Sequence, residues 1–335
     1  MQAAIYGLAG PELTREEGDF FRDADPAGYI LFARNCDSTE QLRRLTDELR
    51  SLGGRADVPV LIDQEGGRVA RMRPPEWPAF PRGEAFDRLY QLAPMSAIEA
   101  ARVNARAIAL VLRGAGINVN CLPMLDVRQP GASDIVGDRA YGAEPMQVAA
   151  LGRAVLDGMA SAGVIGVVKH MPGHGRALVD SHKELPVVSA SAAELEVDLE
   201  PFERLREAPM GMVAHILFKA WDRARPSSQS PIVINDIIRE RIGFHGFLMT
   251  DDIGMEALAG SPGERSAAAL AAGCDCTLHC SGKFDEMLDV AAHVGALTSD
   301  AEARLARAMA GTMIEEDGPS LAEAAAKRDE LLALV

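Results

Sequence analysis

Eight short β-rich runs alternate with longer helical stretches along this chain, and that alternation constrains the fold more than any single motif. The runs are Ala3–Leu8, Gly28–Phe32, Val58–Ile62, Ile117–Leu122, Val164–Val168, Gly211–Ile216, Gly246–Met249 and Cys274–Leu278. Between most of them lie stretches with helical spacing, such as Ser96–Arg113, Met146–Ser161, Ser191–Arg206 and Pro231–Ile242, most of them rich in alanine, leucine, glutamate or arginine. Strand and helix repeated eight times is the pattern of an α/β protein of the (β/α)8 TIM-barrel type, whose usual size is about 250 residues. The 335 residues leave room for insertions and for a helical C-terminal tail at about 297–335, with 1–335 read as a single domain. An open doubly wound sheet would show the same alternation. The first strand-to-helix turn argues against it, because Ala9-Gly10-Pro11 is no G-x-G-x-x-G fingerprint and no P-loop follows elsewhere.

Composition narrows the function classes. A formal charge of -15 argues against general affinity for nucleic acid or an anionic membrane, since binding a polyanion requires a basic surface. No stretch reaches the roughly 18 apolar residues of a membrane span. The N-terminal residues show no secretory signal pattern, so a cytoplasmic location is expected. Five cysteines suit a reducing compartment better than a disulfide framework. Cys36 and Cys121 flank apolar runs and read as buried thiols. Cys274, Cys276, His279 and Cys280 crowd together without a zinc-site spacing, and on a strand the three cysteines would share one face, which favours core packing.

Polar side chains collect where the strands end, the place where α/β folds build active sites. The run Gly163–Val168 reads as a buried parallel strand, and Lys169-His170-Met171-Pro172-Gly173-His174-Gly175 with Asp180-Ser181-His182 follows it directly. That segment places three histidines, a lysine and an aspartate in fourteen residues. After Val58–Ile62 comes Asp63-Gln64-Glu65-Gly66-Gly67-Arg68-Val69-Ala70-Arg71, a loop equipped either to grip a polyhydroxyl ligand or merely to form a salt-bridged turn. Pro123-Met124-Leu125-Asp126-Val127 and Gly137-Asp138-Arg139 follow the fourth run, and Thr250-Asp251-Asp252 follows the seventh. Asp252 suits a helix N-cap or solvent, which leaves Asp251 free to project into a barrel mouth.

Sorted by chemistry, these groups amount to one carboxylate able to attack, Asp251, and one histidine with a nearby acid, His182 with Asp180. That is the equipment of a two-step hydrolase. A carboxylate can capture an oxocarbenium-like carbon, and a histidine can move the protons near neutral pH.

Asp63-Gln64-Glu65-Gly66-Gly67-Arg68, Lys169-His170-Met171-Pro172-Gly173-His174-Gly175, Asp180-Ser181-His182 and Thr250-Asp251-Asp252-Ile253-Gly254-Met255, in that order, resemble the loops of the family 3 glycoside hydrolases, and more narrowly of the single-domain bacterial β-N-acetylglucosaminidases (β-hexosaminidases) of peptidoglycan recycling, in a likeness that runs from about Ala3 to Leu278. The resemblance implies a single catalytic (β/α)8 barrel that removes terminal β-linked N-acetylglucosamine with retention. It implies Asp251 as nucleophile, His182 as acid/base and Asp180 as its dyad partner. Sugar-binding roles carry over to Asp63, Arg71, Arg139, Lys169 and His170, with no metal and no organic cofactor. The implied partner is a small carbohydrate, an N-acetylglucosaminyl-anhydro-muramyl peptide, rather than nucleic acid or membrane; oligomeric state is left open. Met171 stands where the family usually has phenylalanine. The family's larger β-glucosidases take an acid/base glutamate from a second domain, whereas Asp180-Ser181-His182 points to the N-acetylglucosaminidase branch.

Rival readings are another β-glycosidase of the same family, a catalytically silent sugar-binding barrel, and a metal-dependent hydrolase using His170, His174, His182 and an aspartate. Against the last, Pro172 and Gly173 spoil the helix that H-x3-H ligands need. His174 is expected to hold its loop. His215 suits the barrel mouth and a satisfied core position equally, and His245 and His293 read as surface residues.

Overall fold

A computed structural model of the chain describes residues 1–181, 183–312 and 318–335. Its centre is a closed barrel of eight parallel strands: β1 (Gln2–Gly7), β2 (Pro26–Leu31), β3 (Val60–Ile62), β4 (Val119–Asn120), β5 (Ile165–Met171), β6 (Met210–Val213), β7 (Phe247–Asp252) and β8 (Cys276–His279). Each strand pairs with its neighbours in chain order, and the sheet closes because β1 also pairs with β8, Ala4 opposite Thr277, Ile5 opposite Leu278 and Tyr6 opposite His279. That closing ladder excludes the open doubly wound sheet. The strands are short apolar runs covered by barrel interior and helices, which is why they read as continuous rather than alternating hydrophobic segments.

Four strands, β3, β4, β6 and β8, are shorter than the sequence suggests, and at β3 a proline supplies the reason. Pro59 has no N–H to give to a ladder, so β3 starts at Val60. The stretch expected to be helical at Pro231–Ile242 does coil, but as π-helical turns over Ile232–Arg241, with the Ile242 N–H reaching back to the Ile237 carbonyl at 2.8 Å. A small parallel pair, Val187–Val188 with Leu217–Phe218, lies beside the barrel.

The helical layer follows from local signals. Thr14, Ser191, Ser261 and Ser320 each open a helix with a reciprocal capping box to a glutamate three residues on, a device worth about 1 kcal/mol per cap. The longest helix, Pro94–Gly114, is alanine-rich and buries Ala97, Ala100, Ala101, Ala105 and Ile108, so that Pro145–Ala160 packs closely on it. Helices Ser299–Met309 and Leu321–Leu332 complete the chain, the second seated on Pro94–Gly114, where Arg106 donates to the Pro319 carbonyl at 2.7 Å. Among the described residues no helix is long and apolar enough to cross a membrane.

Cys121, Cys274, Cys276 and Cys280 are buried free thiols, whereas Cys36 is only half-buried. Of the three late cysteines only Cys276 lies on β8, with His279 at the strand's end; Cys274 precedes it and Cys280 follows it. His245 and His293 are exposed.

Candidate active site

Parallel strands all end on the same side of the barrel, so the loops after β2, β3, β4, β5, β7 and β8 converge there. They enclose a cavity of about 260 Å³ whose lining includes Asp63, Arg71, Arg139, Lys169, His170 and Asp251. All six are candidates that the sequence pattern picks out. The barrel brings them together from the ends of four strands.

Their charges alternate in space. Arg71 meets Asp63 at 3.0 Å, and Lys169 Nζ lies 2.9 Å from Asp63 and 2.7 Å from Glu65. Glu65 in turn accepts from both Nε and Nη2 of Arg139, at 2.9 and 2.7 Å. Lys169 is only 2% exposed, so burial works against its charge, yet Asp63 and Glu65 outweigh burial and hold the ammonium above its usual range. Burial likewise works against the charge of Asp63 and Glu65, but the neighbouring cations overcome it and hold both below the usual carboxylate range. Lys169, Asp63 and Glu65 therefore stay ionised together. Glu65 lies in the loop that the sequence marks, yet nothing local in the chain gives it a role or pairs it with an arginine 74 residues later.

Backbone geometry lets this loop reach the site. Gly66 has φ +109°, and a Cβ there would strike the Pro81 carbonyl. Gly175 is needed for a different reason, since a side chain would collide with the Val127 carbonyl where the two loops touch.

Asp126 is the second carboxylate whose role sequence reasoning missed. Fully buried, it faces His170 Nδ1 at 2.7 Å through Oδ2, while its Oδ1 accepts the His174 N–H at 2.6 Å. Burial would raise its pKa, but the His170 ring and the His174 N–H outweigh burial and hold it below the usual range, so the carboxylate can only accept. His170 therefore carries its proton on Nδ1 and turns Nε2 away from Asp126. His174 lines the cavity as well, its Nδ1 buried without a partner among the described residues. Burial and the adjacent His170 depress its pKa to about 4, which leaves the ring neutral.

Asp251 sits at the end of β7, and its Oδ1 accepts the Asp252 N–H at 2.8 Å. Burial opposes its ionisation, but the His170 ring, that N–H and Lys169 prevail, and its pKa lies below the usual carboxylate value. An ionised carboxylate in a cation-rich cavity is suited to nucleophilic attack and ill suited to donating a proton. Asp252 does not cap a helix: its Oδ1 takes the Gly254 and Cys280 N–H groups, both at 3.0 Å, and ties β7 to the loop after β8. His215 is a core residue, fully buried.

Asp180 lies in the turn after the Gly175 loop, its carbonyl accepting from the Lys183 and Glu184 N–H groups at 2.9 and 3.1 Å. Ser181 beside it lines the cavity. His182, the expected acid/base, lies outside the described residues. Among the described residues no group of three or more His, Cys, Asp or Glu side chains is arranged to hold a metal ion.

Known proteins resemble this chain over most of its length. Residues 4–310 match the glycosyl hydrolase family 3 N terminal domain. A β-hexosaminidase of Methylococcus capsulatus is 39% identical over 282 residues, covering 83% of this chain and 82% of its own, and one of Aromatoleum aromaticum is 38% identical over 282 residues, covering 83% and 78%. The crystal structure of NagZ from Neisseria gonorrhoeae in complex with N-trifluoroacetyl-D-glucosamine aligns with a TM-score of 0.86 at 29% identity, over 99% of this chain and 98% of that one. With its barrel, its converging loops and a family match over most of its length, this chain belongs to glycosyl hydrolase family 3 and is a glycoside hydrolase.

Proposed function

We propose that the enzyme is a retaining exo-β-N-acetylglucosaminidase in which Asp251 is the nucleophile and His182, assisted by Asp180, the acid/base. The observation that carries this reading is the placement of Asp251: a carboxylate at a strand end, opening onto a cavity of about 260 Å³ lined by Arg71, Lys169 and Arg139, whose surroundings favour its charged form. β-Hexosaminidase relatives and a NagZ that binds an N-acylated glucosamine support the choice of sugar.

In this mechanism an Asp251 oxygen bonds to the anomeric carbon as the glycosidic C–O bond breaks, and His182 gives its proton to the departing oxygen. Water then attacks the same carbon, His182 takes the water proton, and the bond to Asp251 breaks to restore the carboxylate. Two inversions give net retention. Asp63 accepts from sugar hydroxyls, and Arg71, Arg139, Lys169 and His170 donate. For His170 the Asp126 contact adds a condition, because an Nδ1–H already committed to a carboxylate leaves Nε2 as a donor only in the imidazolium form. A peptidoglycan fragment as substrate, met in the cytoplasm, rests on the motif resemblance to the recycling branch.

The test is hydrolysis of matched aryl β-N-acetylglucosaminide and aryl β-glucoside, with and without chelator. Chelator-insensitive cleavage of the N-acetyl sugar alone is expected. Preference for the glucoside moves the enzyme to another branch of the family, and no cleavage of either sugar defeats the catalytic reading.

A further inference from the structure

His215 follows β6 and is fully buried, with one ring nitrogen on the end of β7 and the other on Ser228. Nε2 lies 3.0 Å from the Asp252 carbonyl oxygen, and Nδ1 lies 2.7 Å from Ser228 Oγ. A carbonyl only accepts, so Nε2 carries the hydrogen. In the neutral ring Nδ1 must then accept, and Ser228 supplies its hydroxyl hydrogen. Burial lowers the pKa of the ring and so favours that neutral form.

The residue held in this way is the one that holds the nucleophile. Asp252 gives its N–H to Asp251 Oδ1 at 2.8 Å, its side chain is tied to Gly254 and Cys280, and its carbonyl is tied to His215. With Oδ1 engaged, Oδ2 is the Asp251 oxygen left for the substrate.

We propose that His215 is a positioning residue for the reaction: as the Nε2–H tautomer, selected by Ser228, it pins the Asp252 backbone and so fixes the orientation of the Asp251 carboxylate. This rests on reading Asp251 as the nucleophile. A carboxylate free to turn spends less time at the attack distance of about 3–3.5 Å, and misplacement by about 1 Å costs up to about 100-fold in rate. The loss falls on kcat rather than KM, because His215 and Ser228 are absent from the cavity lining.

Three variants separate this role from simple core packing. His215→Phe fills the space without a donor. His215→Gln restores an amide N–H able to reach the Asp252 carbonyl. Ser228→Ala leaves the imidazole in place but removes the partner that selects its tautomer. Steady-state kinetics on an aryl β-N-acetylglucosaminide should show kcat reduced by up to about 100-fold in His215→Phe and Ser228→Ala with KM little changed, and partly recovered in His215→Gln. A slow-turnover fluorinated N-acetylglucosaminide, with peptide mass mapping of wild-type protein, tests the underlying assignment. Label on Asp251 together with unchanged kcat in Ser228→Ala and His215→Phe overturns the positioning role alone. Equal loss in His215→Gln and His215→Phe reduces His215 to core packing and also overturns it. Label on another residue of the wild type defeats the nucleophile assignment and this inference with it.

Discussion

Glu65 grips Arg139 with both carboxylate oxygens, at 2.7 and 2.9 Å, while one of those oxygens also takes Lys169 at 2.7 Å. With both oxygens engaged, Glu65 is a brace rather than a sugar ligand. It sets where two cationic donors stand when a substrate enters.

Removing the brace leaves a buried ammonium and a nearly buried guanidinium without their shared partner. For Glu65→Ala we expect a stability loss of about 3–5 kcal/mol, measured by denaturant unfolding. In the surviving folded protein kcat/KM should drop by about 100-fold. A variant as stable and as active as wild type would show that Arg139 and Lys169 are placed by other contacts.

Replacing Asp251 by alanine should lower kcat on the order of 10⁴–10⁶-fold, as expected for loss of a covalent nucleophile. Thermal unfolding should be unchanged or raised, since a carboxylate desolvated for catalysis is retained at some cost to the fold. Near-wild-type turnover would remove Asp251 from the mechanism.

His182→Ala should slow cleavage of substrates with poor leaving groups by about 10²–10⁴-fold. Activated aryl glycosides, whose leaving group departs without a proton, should lose much less in the glycosylation step. Equal losses across a leaving-group series would contradict the acid role.

His174 makes stability depend on pH in a defined direction. Its folded pKa of about 4 lies below the unfolded histidine value of about 6.5, so on acidification the unfolded chain takes the proton first. The contribution is complete above about pH 6.5 and is lost as pH falls through about 4. Unfolding free energies of wild type and His174→Leu, compared from pH 7 to pH 4, should converge toward acid by at most about 1.4 kcal/mol per pH unit. Asp198 tilts the other way: burial, only partly offset by Arg176, raises its carboxyl to about 6, so its contribution is present below about pH 3.9 and fades as pH rises through 6. A pH-independent gap between wild type and His174→Leu would mean the ring is not held neutral.

Much of this molecule is legible in the order of its amino acids. Parallel barrel strands are buried on both sides, so Val164–Val168 and Val58–Ile62 announce themselves as apolar runs, and the polar residues that follow each run mark the loops of the barrel mouth. Asp63, Arg71, Lys169, His170 and Asp251 lie at such strand ends, and each is found from its own few neighbours in the chain.

Closure of the sheet and the partners of buried charge lie beyond that local reading. Periodicity describes one strand at a time and carries no information on whether β1 meets β8. Glu65 with Arg139, Asp126 with His170, and His215 with Ser228 and Asp252 are pairings between residues well separated in the chain. Their physical reason is the cost of burying an unpaired polar group, and that cost exists only once the barrel has formed and excluded water around them. Chain order alone puts these residues at the strand ends; the closed, water-excluding barrel selects which of them face the cavity and which hold the others in place.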